Sequence, residues 1–455
     1  MAPRRQQQPP RQEQPPRQEQ PTAADWRARV DAGQDADGAA AFRLALCYEM
    51  GQGGVPPDSA EATGWFRRAA EAGQPGAMYN LGAKYREGRG VAQDHGQAAV
   101  WYRRAAETGD AMAAYTMGVL YRDGEGVPQD DAESVVWYRR AADQGLAVAY
   151  HNLGCCYRDG QGVEEDDHEA LTWFTKAAAL GVPAAMVNVG VYHAQGLCAQ
   201  QSYTEAIGWY RKAAALGDID AVYNLGCCYR DAEGVRRDYA KAAELLQAAA
   251  DAGHIEAMCN LGSLYQDGHG VRRSLPKAIA WFRRAADCGD ATAMFNLGSL
   301  YWKGEQVPRD LAKGREFLVE AASCGHGDAM CTLGRAHETG EPGVPKNHAT
   351  ALDWYRKAAT QAESAEGMVA VGRFYELGLG GAAQDYAEAA KWYSQAVELG
   401  DADACYRLAA LHEQGRGVER NLDEAVRLYT EATEQGHTDA ITAVKRLART
   451  TNHTR

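Results

Sequence analysis

The sequence predicts an all-α protein, a right-handed α-solenoid of tandem helix-turn-helix repeats, and three observations predict it. The dipeptide Leu-Gly recurs at Leu81, Leu153, Leu225, Leu261, Leu297 and Leu333, with separations that are multiples of 36 residues. Alanine-rich stretches carry apolar residues three and four apart, while the alternation that marks strands is scarce. The 49 glycines fall at regular intervals. A period of this length means one supersecondary unit copied in series, each copy unable to bury its apolar face without a neighbour.

Residues 1–22 are mostly Gln, Pro, Arg and Glu, include the duplicated string PPRQEQ, and offer nothing apolar beyond Met1 and Ala2. Such a segment predicts a disordered tail. Residues 23–38, with Trp26 and a closing Gly33, read as an orphan second helix that caps the stack. Residues 39–437 hold eleven units of about 36 residues, and residues 438–455, with Lys445, Arg446 and Arg449, read as a terminal capping helix and tail. The array predicts about 22 helices plus these caps.

Five further units fill the marker slot differently: Met117, Val189 and Val371 precede glycine there, and Leu44 and Leu408 precede alanine. Each unit reads as a first helix around the marker, a turn such as Gly88-Arg89-Gly90-Val91, and a second helix such as Ala98 to Ala106. Every second helix starts at an oxygen-bearing residue: Asp58, Asp94, Asp130, Asp166, Ser202, Asp238, Ser274, Asp310, Asn347, Asp385 or Asn421. These are N-caps, because an open helix start needs an acceptor for its free N–H groups. Seven have Glu or Gln three residues later (Glu61, Gln97, Glu133, Glu169, Glu205, Glu388 and Glu424), the spacing of a complete capping box. Ten units end on glycine, Ala362 being the exception. Gly82 and its equivalents let the paired helices approach closely, with residues like Trp101 filling the gaps between layers.

A formal net charge of −13 argues against a general nucleic-acid binder, since phosphate neutralisation needs concentrated Lys and Arg. No apolar run approaches the roughly 20 residues that cross a bilayer, and the N-terminus lacks a signal-peptide core, so the expectation is a cytoplasmic protein without direct membrane insertion. The odd count of 11 cysteines, with adjacent pairs such as Cys155 and Cys156, predicts reduced thiols acting as small buried apolar groups.

The pattern A-x-x-x-L-G-x-x-Y-x-x-G-x-G-V-x-x-D-x-x-x-A-x-x-W-Y-x-x-A-A-x-x-G resembles the Sel1-like repeat, a relative of the tetratricopeptide repeat, over about residues 39 to 437. Departures preserve bulk: His193 and Cys198 in the fifth unit, Leu245 and Leu246 in the sixth, Phe317 in the eighth. The resemblance implies an interaction scaffold or adaptor, monomeric, that binds a protein or peptide and needs no cofactor. It implies two alternatives: a cysteine-rich Sel1-like hydrolase of β-lactamase type, or a regulatory adaptor subunit of a membrane-associated complex. A Ser-x-x-K pair does occur at Ser274 and Lys277, but Ser274 stands in a repeat's N-cap slot and no KTG-like or SDN-like companion follows. Only Cys324 and Cys331 approach the cysteine pairing of that hydrolase branch. No histidine or cysteine spacing suits a metal. No residue is assigned to catalysis.

In the related repeats the positions flanking the marker face a concave groove. One residue before it stand Asn80, Asn152, Asn188, Asn224, Asn260 and Asn296, amides able to bond the main chain of an extended peptide. Two residues before it stand Phe42, Tyr79, Tyr115, Tyr223, Phe295 and Tyr406, with the contact area of binding hot spots. Both columns have a plainer reading, as bonds and packing between repeats. After the tyrosine slot, Arg86, Arg122, Arg158 and Arg230 give way to Glu338, Glu376 and Glu413, with Glu49 an early exception, a gradient able to orient a ligand.

Overall fold

The computed structural model describes residues 21–198 and 200–453, with side chains described as far as Leu447. The expected tail lies outside the described residues up to residue 20. Pro21 and Thr22 fall within them, and Thr22 is the N-cap of the first helix, closing a reciprocal capping box with Asp25.

Among the described residues the chain forms 24 helices and no strand, in two compact units. The first unit ends at Asp218 and comprises α1 (Ala23–Asp31), α2 (Ala39–Met50), α3 (Ser59–Glu71), α4 (Pro75–Glu87), α5 (His95–Glu107), α6 (Ala111–Asp123), α7 (Asp131–Asp143), α8 (Ala147–Asp159), α9 (Asp167–Ala179), α10 (Pro183–Gln195) and α11 (Tyr203–Ala215). The second begins at Ile219 and comprises α12 (Ile219–Asp231), α13 (Tyr239–Asp251), α14 (Ile255–Asp267), α15 (Leu275–Asp287), α16 (Ala291–Lys303), α17 (Leu311–Ser323), α18 (Gly327–Thr339), α19 (His348–Gln361), α20 (Ala365–Leu377), α21 (Tyr386–Glu398), α22 (Ala402–Gln414), α23 (Leu422–Glu434) and α24 (Thr438–His453). From α2 to α23 even numbers are first helices and odd numbers second helices. Each pair forms a hairpin that packs on the next within its unit.

Inside nine of the eleven hairpins a marker glycine lies under the residue at one fixed place on the second helix. A Cβ on Gly118 would stand 2.5 Å from the ring of Tyr138, and Gly154, Gly190 and Gly372 meet Phe174, Tyr210 and Tyr393 at the same 2.5 Å. The ring that fills this place is therefore the second of the Trp-Tyr pair, which is fully buried at Tyr138, Phe174 and Tyr393. The tryptophan one residue earlier is buried at Trp101 and Trp137, as the sequence predicts, whereas the other six repeat tryptophans are only half-buried, five of them with a cation over the ring. Leu246 and Leu318 take the place above Gly226 and Gly298, so the sixth and eighth units keep the contact without a ring.

A second close approach joins one hairpin to the previous one. The turn glycines Gly90, Gly126, Gly162 and Gly270 have φ between 70° and 75°, and a Cβ on them would fall 2.0–2.1 Å from a carbonyl oxygen at the start of the preceding second helix. At these four positions glycine suits both the conformation and the gap, while the fifth and eighth units hold Cys198 and Gln306 in the same slot.

The eleven N-caps stand where the sequence places them. Ten accept a backbone N–H of the second helix; Ser274 does not, since Pro276 removes one donor in that first turn. The capping boxes are half complete. The N–H of each N-cap residue is already bonded, at 2.8–3.0 Å, to the carbonyl of the Tyr or His that ends the first helix's core stripe, as Asp94 is to Tyr85. The acid three residues on then turns elsewhere: Glu61, Glu133 and Glu169 accept from the indoles of Trp65, Trp137 and Trp173.

At three positions a residue other than glycine adopts the left-handed conformation. Cys198, Ala232 and Glu363 have φ of 63°, 66° and 47°. Glu363 supplies the bend that Ala362, with φ of −114°, does not.

Two substitutions test this with opposite signs. Gly208 sits exposed in α11 with open space around it, so Gly208→Ala is expected to gain about 0.5–1 kcal/mol from helix propensity. Gly118→Ala, under Tyr138, is expected to lose about 1–3 kcal/mol through overpacking. Ala232→Gly relieves a left-handed alanine and is expected to gain about 1 kcal/mol. Urea denaturation of the three variants measures all of these.

Candidate functional site: the first-helix faces

The asparagine and aromatic columns lie next to each other on the first helices and are half-buried throughout. They are wired to one another across repeats. The Nδ2 of Asn152 donates to the hydroxyl of Tyr115 at 3.2 Å, and Asn260 donates to Tyr223 at 3.2 Å. Asn188 Nδ2 lies 3.2 Å from His151 Nε2, and Asn296 Nδ2 lies 3.6 Å from the Cys259 thiol. All four bonds span 37 residues, one repeat plus one position. Burial holds His151 below its ordinary histidine value, so it stays neutral beside the amide. Asn80 instead donates to the Gly76 carbonyl of its own helix at 2.7 Å, and Asn224 occupies the equivalent place in α12.

The aromatic members also pack on both sides. Tyr79, Tyr115 and Tyr406 meet the buried second-helix tyrosines Tyr102, Tyr138 and Tyr429 at ring separations of 5.3, 5.7 and 5.6 Å. Phe42 meets Phe66 in the same way. Tyr223, Phe295 and Tyr406 stack on His254, His326 and His437, each at the start of the following repeat, at 4.2–4.7 Å. These are the contacts that the sequence's plainer reading describes.

Open space accompanies the columns in the second unit. A cavity of 470 Å³ is lined by Phe295, Ser299 and Trp302 of α16, Asp328 and Arg335 of α18, and Glu366 of α20. A neighbouring cavity of 220 Å³ is lined by Phe295 and Asn296 together with Gln266 of α14. A third, of 350 Å³, lies over α18 and α20 beside Glu338 and Arg373.

The Arg-to-Glu slot has structural partners. Arg122, Arg158 and Arg230 fork onto the aspartates that directly follow them, and Arg86 forks onto Glu125 of the next turn. Glu338, Glu376 and Glu413 accept from the buried hydroxyls of Tyr355, Tyr393 and Tyr429 at 2.8, 2.7 and 3.0 Å. Each also faces an arginine of the next repeat: Arg373, Arg407 and Arg446. An acid in this slot thus completes a tyrosine that would otherwise bury an unpaired hydroxyl, at a cost of about 1–3 kcal/mol. Burial pushes the Glu338 carboxyl up, but Arg373 and the Tyr355 hydroxyl outweigh it and hold it below the usual carboxylate range.

The cysteines are all free thiols, with Cys324 exposed and Cys331 buried. Burial pushes Cys156, Cys331 and Cys405 up to about 11, which keeps them protonated and unreactive. Ser274 starts α15, and Lys277 Nζ sits 4.9 Å from the centre of the Tyr265 ring. Among the described residues no group of three His, Cys, Asp or Glu is arranged to hold a metal, and no helix is long and apolar enough to cross a membrane.

The Sel1 repeat family model matches eleven consecutive segments, 38–74, 75–110, 111–146, 147–182, 183–218, 219–254, 255–290, 291–326, 327–362, 365–401 and 402–437. The chain therefore belongs to the Sel1 repeat family. Among solved structures it is similar to c5321, a protective antigen present in uropathogenic Escherichia coli strains that displays the SLR fold, at 30% identity and a TM-score of 0.62, over 94% of this chain and 90% of that one. A Sel1 repeat protein from Oxalobacter formigenes is 33% identical, with a TM-score of 0.48, over 55% of this chain and 98% of its own. No curated protein matches the sequence.

Two measurements probe the slot acids. A double-mutant cycle of Tyr393→Phe and Glu376→Gln is expected to show a coupling of about 1–2 kcal/mol in urea denaturation. The depressed Glu338 carboxyl contributes stability that is present above its unfolded value, about 4.3, and is lost as pH falls through the lower folded value. Lowering the pH below about 4.3 is therefore expected to destabilise the parent chain more steeply than Glu338→Gln.

Proposed function

We propose that the chain is a non-catalytic scaffold or adaptor that binds an extended segment of another protein along its first-helix faces. The observation that carries this reading is the pair of cavities on α16, which share Phe295 and bring Asn296 and Trp302 to open space beside charged side chains of α18. Aromatic area beside polar groups suits capture of a peptide, with side chains entering the cavities and the main chain meeting amides. The carbonyl oxygens of Asn152, Asn260 and Asn296 remain the natural contacts for such a main chain, since their Nδ2 atoms already reach the preceding repeat, whereas Asn188 Oδ1 also accepts from Arg158. The bonds between repeats then serve binding indirectly, by holding each amide in one orientation before the ligand arrives. In the first unit the same slots, Tyr79 with Asn80, and Tyr115, offer the equivalent surface.

Affinity capture with cross-linking and mass spectrometry tests the proposal, comparing the parent chain with a variant carrying Asn152→Ala, Asn188→Ala, Asn224→Ala and Asn260→Ala. The expected outcome is a specific partner cross-linked to first helices and lost from the variant, with helicity unchanged by circular dichroism. Cross-links confined to second helices, or capture unaffected by the substitutions, overturn the proposed site.

A further inference from the structure

The outer face of the second helices in the first unit carries a row of exposed cations that are held on aromatic rings and hydroxyls and not in ion pairs. Arg68, Arg104, Arg140, Lys176 and Lys212 occupy one position in five consecutive repeats, and each lies over the tryptophan of its own helix at 3.9–5.6 Å from the ring centre. Arg67, Arg103 and Arg139, one residue earlier, donate instead to the hydroxyls of Tyr85, Tyr121 and Tyr157. All eight are exposed, and none forms an ion pair among the described residues. On the first-helix faces of the same unit, by contrast, Arg86, Arg122 and Arg158 are each tied to a carboxylate.

Helix-terminal charge does not account for the row. Cations do favour helix C-termini, but four of the six second helices in the second unit manage without them: the same two positions hold Gln247 and Ala248, Val319 and Glu320, Ser394 and Gln395, and Thr430 and Glu431. In a chain with net charge −13, the last seven residues of these five helices hold nine Lys and Arg against three acids, Glu71, Glu107 and Asp143, a local reversal of sign confined to the C-terminal halves of the helices. The stacked geometry also fixes these side chains in advance, which lowers the entropy lost when they meet a ligand.

Apolar side chains are set among the cations. Val100 and Val136 are 44% and 56% exposed one helical turn before Arg104 and Arg140. Leu180 and Leu216 are 56% and 57% exposed four residues after Lys176 and Lys212. A phosphate backbone gains nothing from these, whereas a protein segment that carries apolar residues between carboxylates satisfies both sets. We infer that the second-helix face of residues 58–216 is a docking surface for an acidic, apolar-bearing segment of another protein. It is separate from the first-helix faces and stands whether or not those bind a ligand.

The test measures anisotropy of a labelled 15-residue peptide of Glu-Asp-Leu triplets with the full chain, at rising salt. Binding is expected to weaken with salt, to fall about tenfold in a variant with Arg104→Glu and Arg140→Glu, about threefold in Val136→Ser, and to remain unchanged in Arg284→Glu, on α15 of the second unit. Circular dichroism excludes loss of fold, and Arg104→Gln with Arg140→Gln replaces the reversal if that variant unfolds. The inference is overturned if the peptide fails to bind, if the α5 and α7 substitutions leave affinity unchanged, if Arg284→Glu weakens it equally, or if a 15-nucleotide oligothymidylate binds as tightly with Val136→Ser having no effect on either ligand.

Discussion

Everything in this architecture depends on a missing Cβ. The glycine after the marker residue lets the first helix come against a large side chain of the second, and the space left for that Cβ is as little as 2.5 Å. Close approach of this kind fixes the hairpin's geometry, because any larger residue would push the ring off its partner. The exceptions fall in the first and last units, where Ala45 and Ala409 replace the glycine above Phe66 and Tyr429. The turn glycines then fix how one hairpin meets the next, by admitting a carbonyl where a side chain would otherwise stand.

That frame determines what is left to bind with. Once the second-helix tyrosine is buried over the small residue after the marker, its hydroxyl needs an acceptor, and Glu338, Glu376 and Glu413 provide it. Once one repeat follows another at this distance, an asparagine amide reaches the residue 37 positions back. Residues that look like a ligand-facing column are thus also the fasteners of the array. Charges held on rings and hydroxyls and not in ion pairs, as on the second helices of the first unit, are those with the greatest freedom to act outward.

Repeats carry function through small departures from their own pattern. The hairpin is the same in all eleven units, so differences in surface distinguish one unit from another. Trp302 in the eighth unit and the paired arginines of α3, α5, α7 and α15, absent from α13, α17, α21 and α23, are such differences.

The sequence by itself determined the period, the number of hairpins and the position of every second-helix N-cap. These depend on side chains within one helical turn of the backbone groups they serve, so they are written locally, as Asp94 before Gln97 shows. It also marked Asn152 and Tyr115 as neighbours of the marker. Only the tertiary structure decided that they bond to each other, that the N-cap N–H was already taken by a tyrosine carbonyl, that the tyrosine rather than the tryptophan lies over glycine, and which arginines are neutralised. Those outcomes depend on the distance and rotation between hairpins, which no single repeat encodes, because they arise only when one repeat's surface is pressed against the next.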